Sequence, residues 1–393
     1  MSVNFRTRNQ LLLARIQSAE GEEATPTPAE DAIRVLDPRF TPNLAMISTE
    51  AEVTASLSVP APIPGGGYGG MTFGAFARGA GTAGAAPELG ALLRACGFSE
   101  TLTAADITGT AQAGGAGTIT LELGASAIAD LYKGMPIRIT GGTGAGQVNL
   151  IKSYDGATKV ATVVAAWETE PDATSQYAID ANALYRPITV APEWVTLWAY
   201  QHHNNPAESS IRRRVRDAAA PFTLAIQPNQ LARFDFTFRG VLPDKPDAVA
   251  RPAEPVYPTV EPEAFRNARA FLGGAAVKSS DFSFDLGAAV DQHEDPAAEL
   301  GFDSAQLLSR APTGRIVPNR VSLASRDAFD DWKTATSRDL WLDWGSGPGR
   351  RISLYFPALR YTSHEETDVR GFAAEVLPFQ ATGLDDEIWL CFH

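Results

Sequence analysis

Apolar and polar positions along this chain alternate far more often than they recur at helical spacing. Met71, Phe73 and Ala75 in "GGMTFGAFARG" alternate with small or polar residues, and Phe234, Phe236 and Phe238 in "ARFDFTFRG" share one face. Phe282, Phe284 and Leu286 in "SSDFSFDLG" repeat the pattern. A period of two marks a strand with one buried face. "EWVTLWAYQ", "TGRIVPNRVSLAS", "GRRISLYFPALRYTS" and "VRGFAAEVLPF" also read as extended segments. Two stretches depart from this. Leu89, Leu92, Leu93 and Cys96 fall at i, i+3, i+4 and i+7 after Pro87, and Gly97 follows them. That is one apolar helix stripe with a favoured first residue and a favoured stop. Ser325 is placed to cap a second helix opening "RDAFDDWKTA", with Phe329 and Trp332 on one side. The pattern predicts a mainly β fold with short flanking helices.

The stretch "RITGGTGAGQ", Arg138 to Gln147, raises the question of a phosphate-binding loop. Such a loop needs a strand before it, a helix after it and a Lys followed by Ser or Thr. Here "QVNLIKSYDG" continues as a strand, and no lysine follows Gly146 until Lys152. The glycines therefore predict a hairpin turn in a β-meander. The whole stretch from Asp106 to Ile179 consists of short strands, opening with "GTITLEL" and closing with "SQYAI". It reads as a small β module inserted into a loop of a larger domain, where insertion is best tolerated, and is expected to project outward.

With the insert set aside, strand, helix, strand, turn, strand occurs twice. Residues 1–105 and 180–242 are then a first β-sandwich or barrel domain with a flanking helix, and residues 263–393 a second. Between them lies "PDKPDAVARPAEPVYPTVEP", Pro243 to Pro262. Proline at this density favours an extended segment of about 3.1 Å per residue, either a strap crossing onto a neighbouring subunit or a plain spacer.

Charge and chemistry narrow the function. The 393 residues carry a formal net charge of −13, which opposes strong nucleic-acid binding because that requires Lys and Arg to displace phosphate counterions. Two cysteines, Cys96 and Cys391, are too few for a disulfide scaffold or a four-cysteine zinc site. Cys96, on the apolar helix stripe, is expected to be a buried reduced thiol. No stretch is long and apolar enough to span a bilayer. The opening "MSVNFRTRNQLLLARIQSAEGEE" has an apolar core too short for a secretory signal, so the chain is expected to stay in the cytoplasm where it is made. Five histidines are present, with no HExxH motif and no GxSxG elbow. His293 in "DQHEDPAAE" and His364 in "SHEETD" lie among acidic residues. Adjacent residues on a strand point to opposite faces, so neither cluster is expected to converge on a metal. No catalytic, metal or cofactor-binding residue is expected, and no enzyme activity.

The segments "ARIQSAEGEEATPTPAEDAIRV", "GTAGAAPELGALLRACGFSET", "FDFTFRGVL", "SFDLG" and "APTGRI" resemble the tail tube proteins of long-tailed bacteriophages. The insert, through "YKGMPIRITGGTGAGQ", "YDGATKVATV" and "PDATSQYAI", is similar to a module found inserted in phage virion proteins. The resemblance implies subunits that close into rings, rings that stack into a hollow tube, and DNA leaving through the bore without specific binding. It implies assembly in the host cytoplasm and a place in the virion tail. The chain itself would be the main partner, with the tape measure and terminator as others and no membrane. Duplication within one chain favours a trimeric ring of pseudo-sixfold symmetry over a hexamer. The insert and an extended N-terminus depart from the usual pattern.

A ring needs interface residues. "EWVTLWAYQ" and "ARFDFTFRG" are expected as two strands of one long hairpin wall, contributing Trp194, Trp198, Phe234, Phe236 and Phe238. The intervening "HHNNPAESSIRRRVRDAAA" is expected as a basic loop, either with Arg212, Arg213, Arg214 and Arg216 meeting acidic residues of an adjacent ring or subunit or simply solvated. Two other readings are a tail completion or adaptor protein, and a carbohydrate-binding virion surface protein whose seven tryptophans stack on sugars.

Overall fold

The three phenylalanine-bearing segments become the strands Ile63–Phe76, Arg233–Val241 and Ser279–Asp285. They sit in a computed structural model that describes residues 5–53, 55–190 and 192–393. The fold is mainly β. Among the described residues 21 strands join into one curled antiparallel ladder, with a separate seven-stranded sheet and a two-stranded ribbon. The two helices have six residues each.

The ladder runs across both expected domains without a break. Ile63–Phe76 pairs with Arg233–Val241, which pairs with Phe222–Ile226. That strand pairs with Ser279–Asp285, through Leu224 opposite Phe284, and the ladder continues to Thr313–Pro318 and Phe372–Ala381. Aromatic packing follows the same path. Phe236 lies 6.0 Å from Phe222, Phe222 lies 6.0 Å from Phe284, and Phe284 lies 5.2 Å from Phe356, ring centre to ring centre. The halves therefore share one sheet and one core.

Further strands are buried on both faces. In Arg338–Trp344, Leu340, Leu342 and Trp344 point into the main core, while Trp341 points to the opposite side. Tyr355, Trp389 and Cys391 do likewise on Ile352–Tyr361 and Trp389–Phe392. What covers that outer face is the insert. Its own core of Met135, Ile137, Leu150, Tyr154 and Trp167 is continuous with Trp341, Tyr355 and Trp389. The glycine stretch is the hairpin between Pro136–Gly141 and Val148–Asp155, with Gly142, Gly144 and Gly146 at positive φ. The insert leaves and re-enters the main sheet at Thr103 and Asn182, which are opposite each other in the ladder.

Several local expectations change. The first helix spans Gly90–Ala95, three residues after Pro87, although Leu89, Leu92, Leu93 and Cys96 are all buried as the stripe requires. Asp327, not Ser325, caps the second helix, its carboxylate accepting from the Asp330 N–H. That helix buries Ala328 and Asp331 and turns Phe329 outward, 53% exposed, with Trp332 beside it. Asp331 explains the choice, since its carboxylate holds Arg338 in a bidentate pair. The segment from Ser210 to Ala219 is a strand and not a loop, so Val195–His203 pairs with it and with Phe5–Ile16. No hairpin joins "EWVTLWAYQ" to "ARFDFTFRG". The Pro-rich segment lies along its own chain: Asp247–Val249 pairs with Ser210–Arg212, and Val256 N–H donates to Pro28. Val260 is buried and its carbonyl accepts from Arg34.

Candidate assembly surfaces

Interface residues must be reachable in the free chain, and burial separates the expected ones. Phe234, Phe236 and Phe238 are each 1% exposed and stack along one face of their strand. They belong to the core and are corrected here as surface candidates: three large apolar side chains at period two fill the interior of a sheet before they fill a contact. Trp194 is half-buried, its indole N–H donating to the Ala305 carbonyl at 2.6 Å. Trp198 is 9% exposed, its N–H on Glu23 and the Arg212 guanidinium 4.6 Å from its ring centre.

The arginines divide by face. Arg212, Arg214 and Arg216 alternate with Arg213 and Val215 along a strand, so they lie on the side away from the main core. Each has an acidic partner in its own chain. Arg212 pairs with Asp247 at 2.6 Å, Arg214 with Glu23 at 3.1 Å, and Arg216 with Asp217 at 2.5 Å. The hydrogen bond from Arg212 holds the Asp247 carboxyl below the usual carboxylate range, and the same bond raises Arg212. Trp198, Arg212 and Arg214 thus form one cluster with Leu11, Leu13 and Tyr200, overlaid by the Pro-rich segment through Val249 and Tyr257. Reversing these charges breaks intrachain pairs, so it does not isolate a contact between subunits.

The strand turns a corner after Arg216. Asp217 is 1% exposed and has φ of 47°. Its carboxylate accepts from Gln17 Nε2 at 2.8 Å and from the Gly21 N–H at 2.7 Å. The strand pairs with Val195–His203 as far as Ala218, opposite Val195, and meets the main ladder on both sides of the corner, at Arg216 opposite Val241 and at Ala219 opposite Arg239.

A surface that the sequence reading passed over is the most exposed apolar feature of the fold. Asn43–Ile47 pairs with the first half of Ile63–Phe76 to form a two-stranded arm. Leu44 is 51% exposed, Met46 59%, Ile47 56% and Ile63 53%. Leu57 and Val59, in the connecting loop, are exposed as well. Among the described residues the arm is held at its root. Gly67 N–H donates to Leu300, Tyr68 packs edge-on against Phe302, and the Arg239 guanidinium lies 3.9 Å from the Tyr68 ring centre. The glycines of "GGGYGG" permit this approach: a Cβ on Gly66 would lie 2.8 Å from Leu300 O, and one on Gly67 2.5 Å from Asn43 O. The signal was present. Between Thr41 and Tyr68 the only charged residues are Glu50 and Glu52, and there is no lysine to protect an edge.

Chemistry is less developed. His293 is exposed, and His364 Nε2 lies 3.4 Å from Glu375. Among the described residues no three His, Cys, Asp or Glu side chains converge as metal ligands. Cys96 and Cys391 are buried and unpaired, and burial pushes both thiols well up. No helix among the described residues is long and apolar enough to cross a membrane. No protein-family model matches the chain, and no curated protein matches it.

Proposed function

We propose that this chain is a structural subunit that associates with copies of itself into rings, and that the rings stack into a hollow phage tail tube. The observation that carries the reading is the apolar arm Asn43–Ile63. A two-stranded ribbon standing alone in water is marginally stable. One with apolar side chains on both faces and unpaired strand edges demands a partner. The arm's backbone is a template for strand addition, and a mainly β chain supplies such strands.

Other features are consistent with a conduit. The net charge of −13 removes the attraction that would stall passing DNA. The insert lies on the face opposite the shared core, which suits a decoration on the outside of the tube. The favoured ring is three chains with pseudo-sixfold symmetry, each half of the ladder serving as one repeat. Tape measure and terminator proteins are the expected neighbours, and the virion tail the expected location.

Electron microscopy of the purified full chain tests this. Rings or tubes are expected, with three copies per ring in averaged views. Six copies of the whole chain would remove the duplication argument, a single unstacked ring would favour the adaptor reading, and a chain that stays monomeric at high concentration would overturn self-assembly.

A further inference from the structure

Arg213 differs from its three neighbours on the same strand. Its side chain lies on the opposite face, and among the described residues no carboxylate pairs with it; its guanidinium donates to Gln201 Oε1 at 3.0 Å. Burial alone lowers its pKa, with no acidic neighbour acting the other way. In a chain with 46 acidic and 33 basic residues, a half-buried arginine without a carboxylate is out of keeping with its surroundings. A guanidinium carries five N–H donors in a fixed fork, and only one of them has a protein acceptor among the described residues.

The space in front of it is a cavity of about 350 Å³ between two parts of the sheet. Gln10 and Gln201 line one wall, from paired positions on adjacent strands. Arg39 and Thr41 line the other, and Met71 contributes to the lining. No Asp or Glu lines the cavity. Arg39 is exposed and has no ion pair among the described residues. Arg213, Arg39, Gln10, Gln201 and Thr41 thus line a space with ample room for a small anion, beside the apolar Met71 and Ala199, which favour charge-assisted hydrogen bonds.

We propose that this cavity is an oxyanion site, taking one phosphate or carboxylate group on Arg213 and Arg39 with Gln10 and Gln201 as neutral donors. The fork of Arg213 matches two oxygens of either group. The anion is either free in solution or the carboxylate of a second copy, and the site chemistry is the same for both.

Calorimetric titration of inorganic phosphate into the full chain at low ionic strength tests the site, with sodium chloride at matched ionic strength as control. Saturable uptake is expected, weakened about tenfold or more in Arg213→Gln. Arg39→Gln, altered at an exposed position, is expected to weaken it in the same direction and covers the case in which Arg213→Gln fails to fold. No saturable uptake by the unaltered chain, or unchanged uptake in both variants, would overturn the proposal. Sedimentation of the same samples separates the two sources. Phosphate that lowers the mass of associated protein identifies a second copy's carboxylate as the resident group, and an unchanged mass identifies a free anion.

Discussion

Replacing Leu44, Met46 and Ile47 together by serine probes the arm without touching the core. Fully burying such a side chain is worth ~1.5–3 kcal/mol. The three are between 51% and 59% exposed in the free chain, so about half of that, ~1 kcal/mol each, is left for a partner to recover. The triple variant should lose ~3 kcal/mol per contact, or ~10²-fold in the association constant. The share already buried in the free chain is worth at most a similar ~3 kcal/mol to the folded monomer, an upper bound because the unfolded chain also buries part of it. Analytical ultracentrifugation over a concentration series reads the first quantity, and urea unfolding of the monomer reads the second. A variant that associates at the same concentration as the unaltered chain would refute the argument. So would a loss of monomer stability well above that bound, because the arm's apolar residues would then serve mainly the chain's own fold.

Three further outcomes follow from buried groups. Asp217→Ala removes the acceptor of the Gly21 N–H, one of the acceptors of Gln17 Nε2 and the carboxylate partner of Arg216, and puts alanine at φ 47°; a loss of ~2–4 kcal/mol in denaturant unfolding is expected, and no measurable loss would remove the corner from the account. Replacing residues 106–179 by a short turn uncovers Trp341, Tyr355 and Trp389, so increased binding of a hydrophobic dye and a lower Tm are expected, both reversed in part by polar substitution of those three; unchanged dye binding would mean that the insert is not their cover. His393 is the third. Burial pulls its imidazole down, but the carboxylates of Asp180, 3.5 Å from Nδ1, and Asp343, 3.2 Å from Nε2, outweigh burial and the net shift is upward. A group raised on folding contributes stability fully below its unfolded pKa, near 6.5, and loses it as pH rises through the folded value. The Tm difference between the unaltered chain and His393→Gln should therefore shrink on going from mildly acidic to alkaline pH, and a difference that grows would reverse the assignment.

How far the sequence disclosed this depended on whether a strand had one dry face or two. Phe234, Phe236 and Phe238 alternate with Asp235, Thr237 and Arg239, so the strand and its inward face were readable. In "RDLWLDW" the burial is nearly continuous because Trp341 and Asp343 are covered by other parts of the chain; periodicity cannot signal a partner supplied from elsewhere. Asp343 escapes the cost of burial through Arg269 at 2.8 Å, Arg351 and His393, none of them adjacent in sequence. The same limit explains "SIRRRVRDAA". Four arginines look solvated, yet Val215 points inward and three of the arginines meet Asp247, Glu23 and Asp217. The helix stripe at Leu89 to Cys96 was legible because all its contacts lie on one side. The second helix was misread because its buried polar residue, Asp331, has a partner on a later strand. As for the surfaces, the phenylalanines were chosen for size, whereas the arm is marked by what it lacks: Glu50 and Glu52 are its only charged residues between Thr41 and Tyr68.

Thr103 and Asn182 sit on one rung of the ladder, about 5 Å apart. To the main sheet, the whole stretch between them is topologically a single turn. Any module whose own ends lie that close can be spliced there without re-registering a strand, provided that it brings an apolar underside for Trp341, Tyr355 and Trp389. The position therefore behaves as a port with a built-in seal, where one inserted module can be exchanged for another while the main sheet stays unaltered.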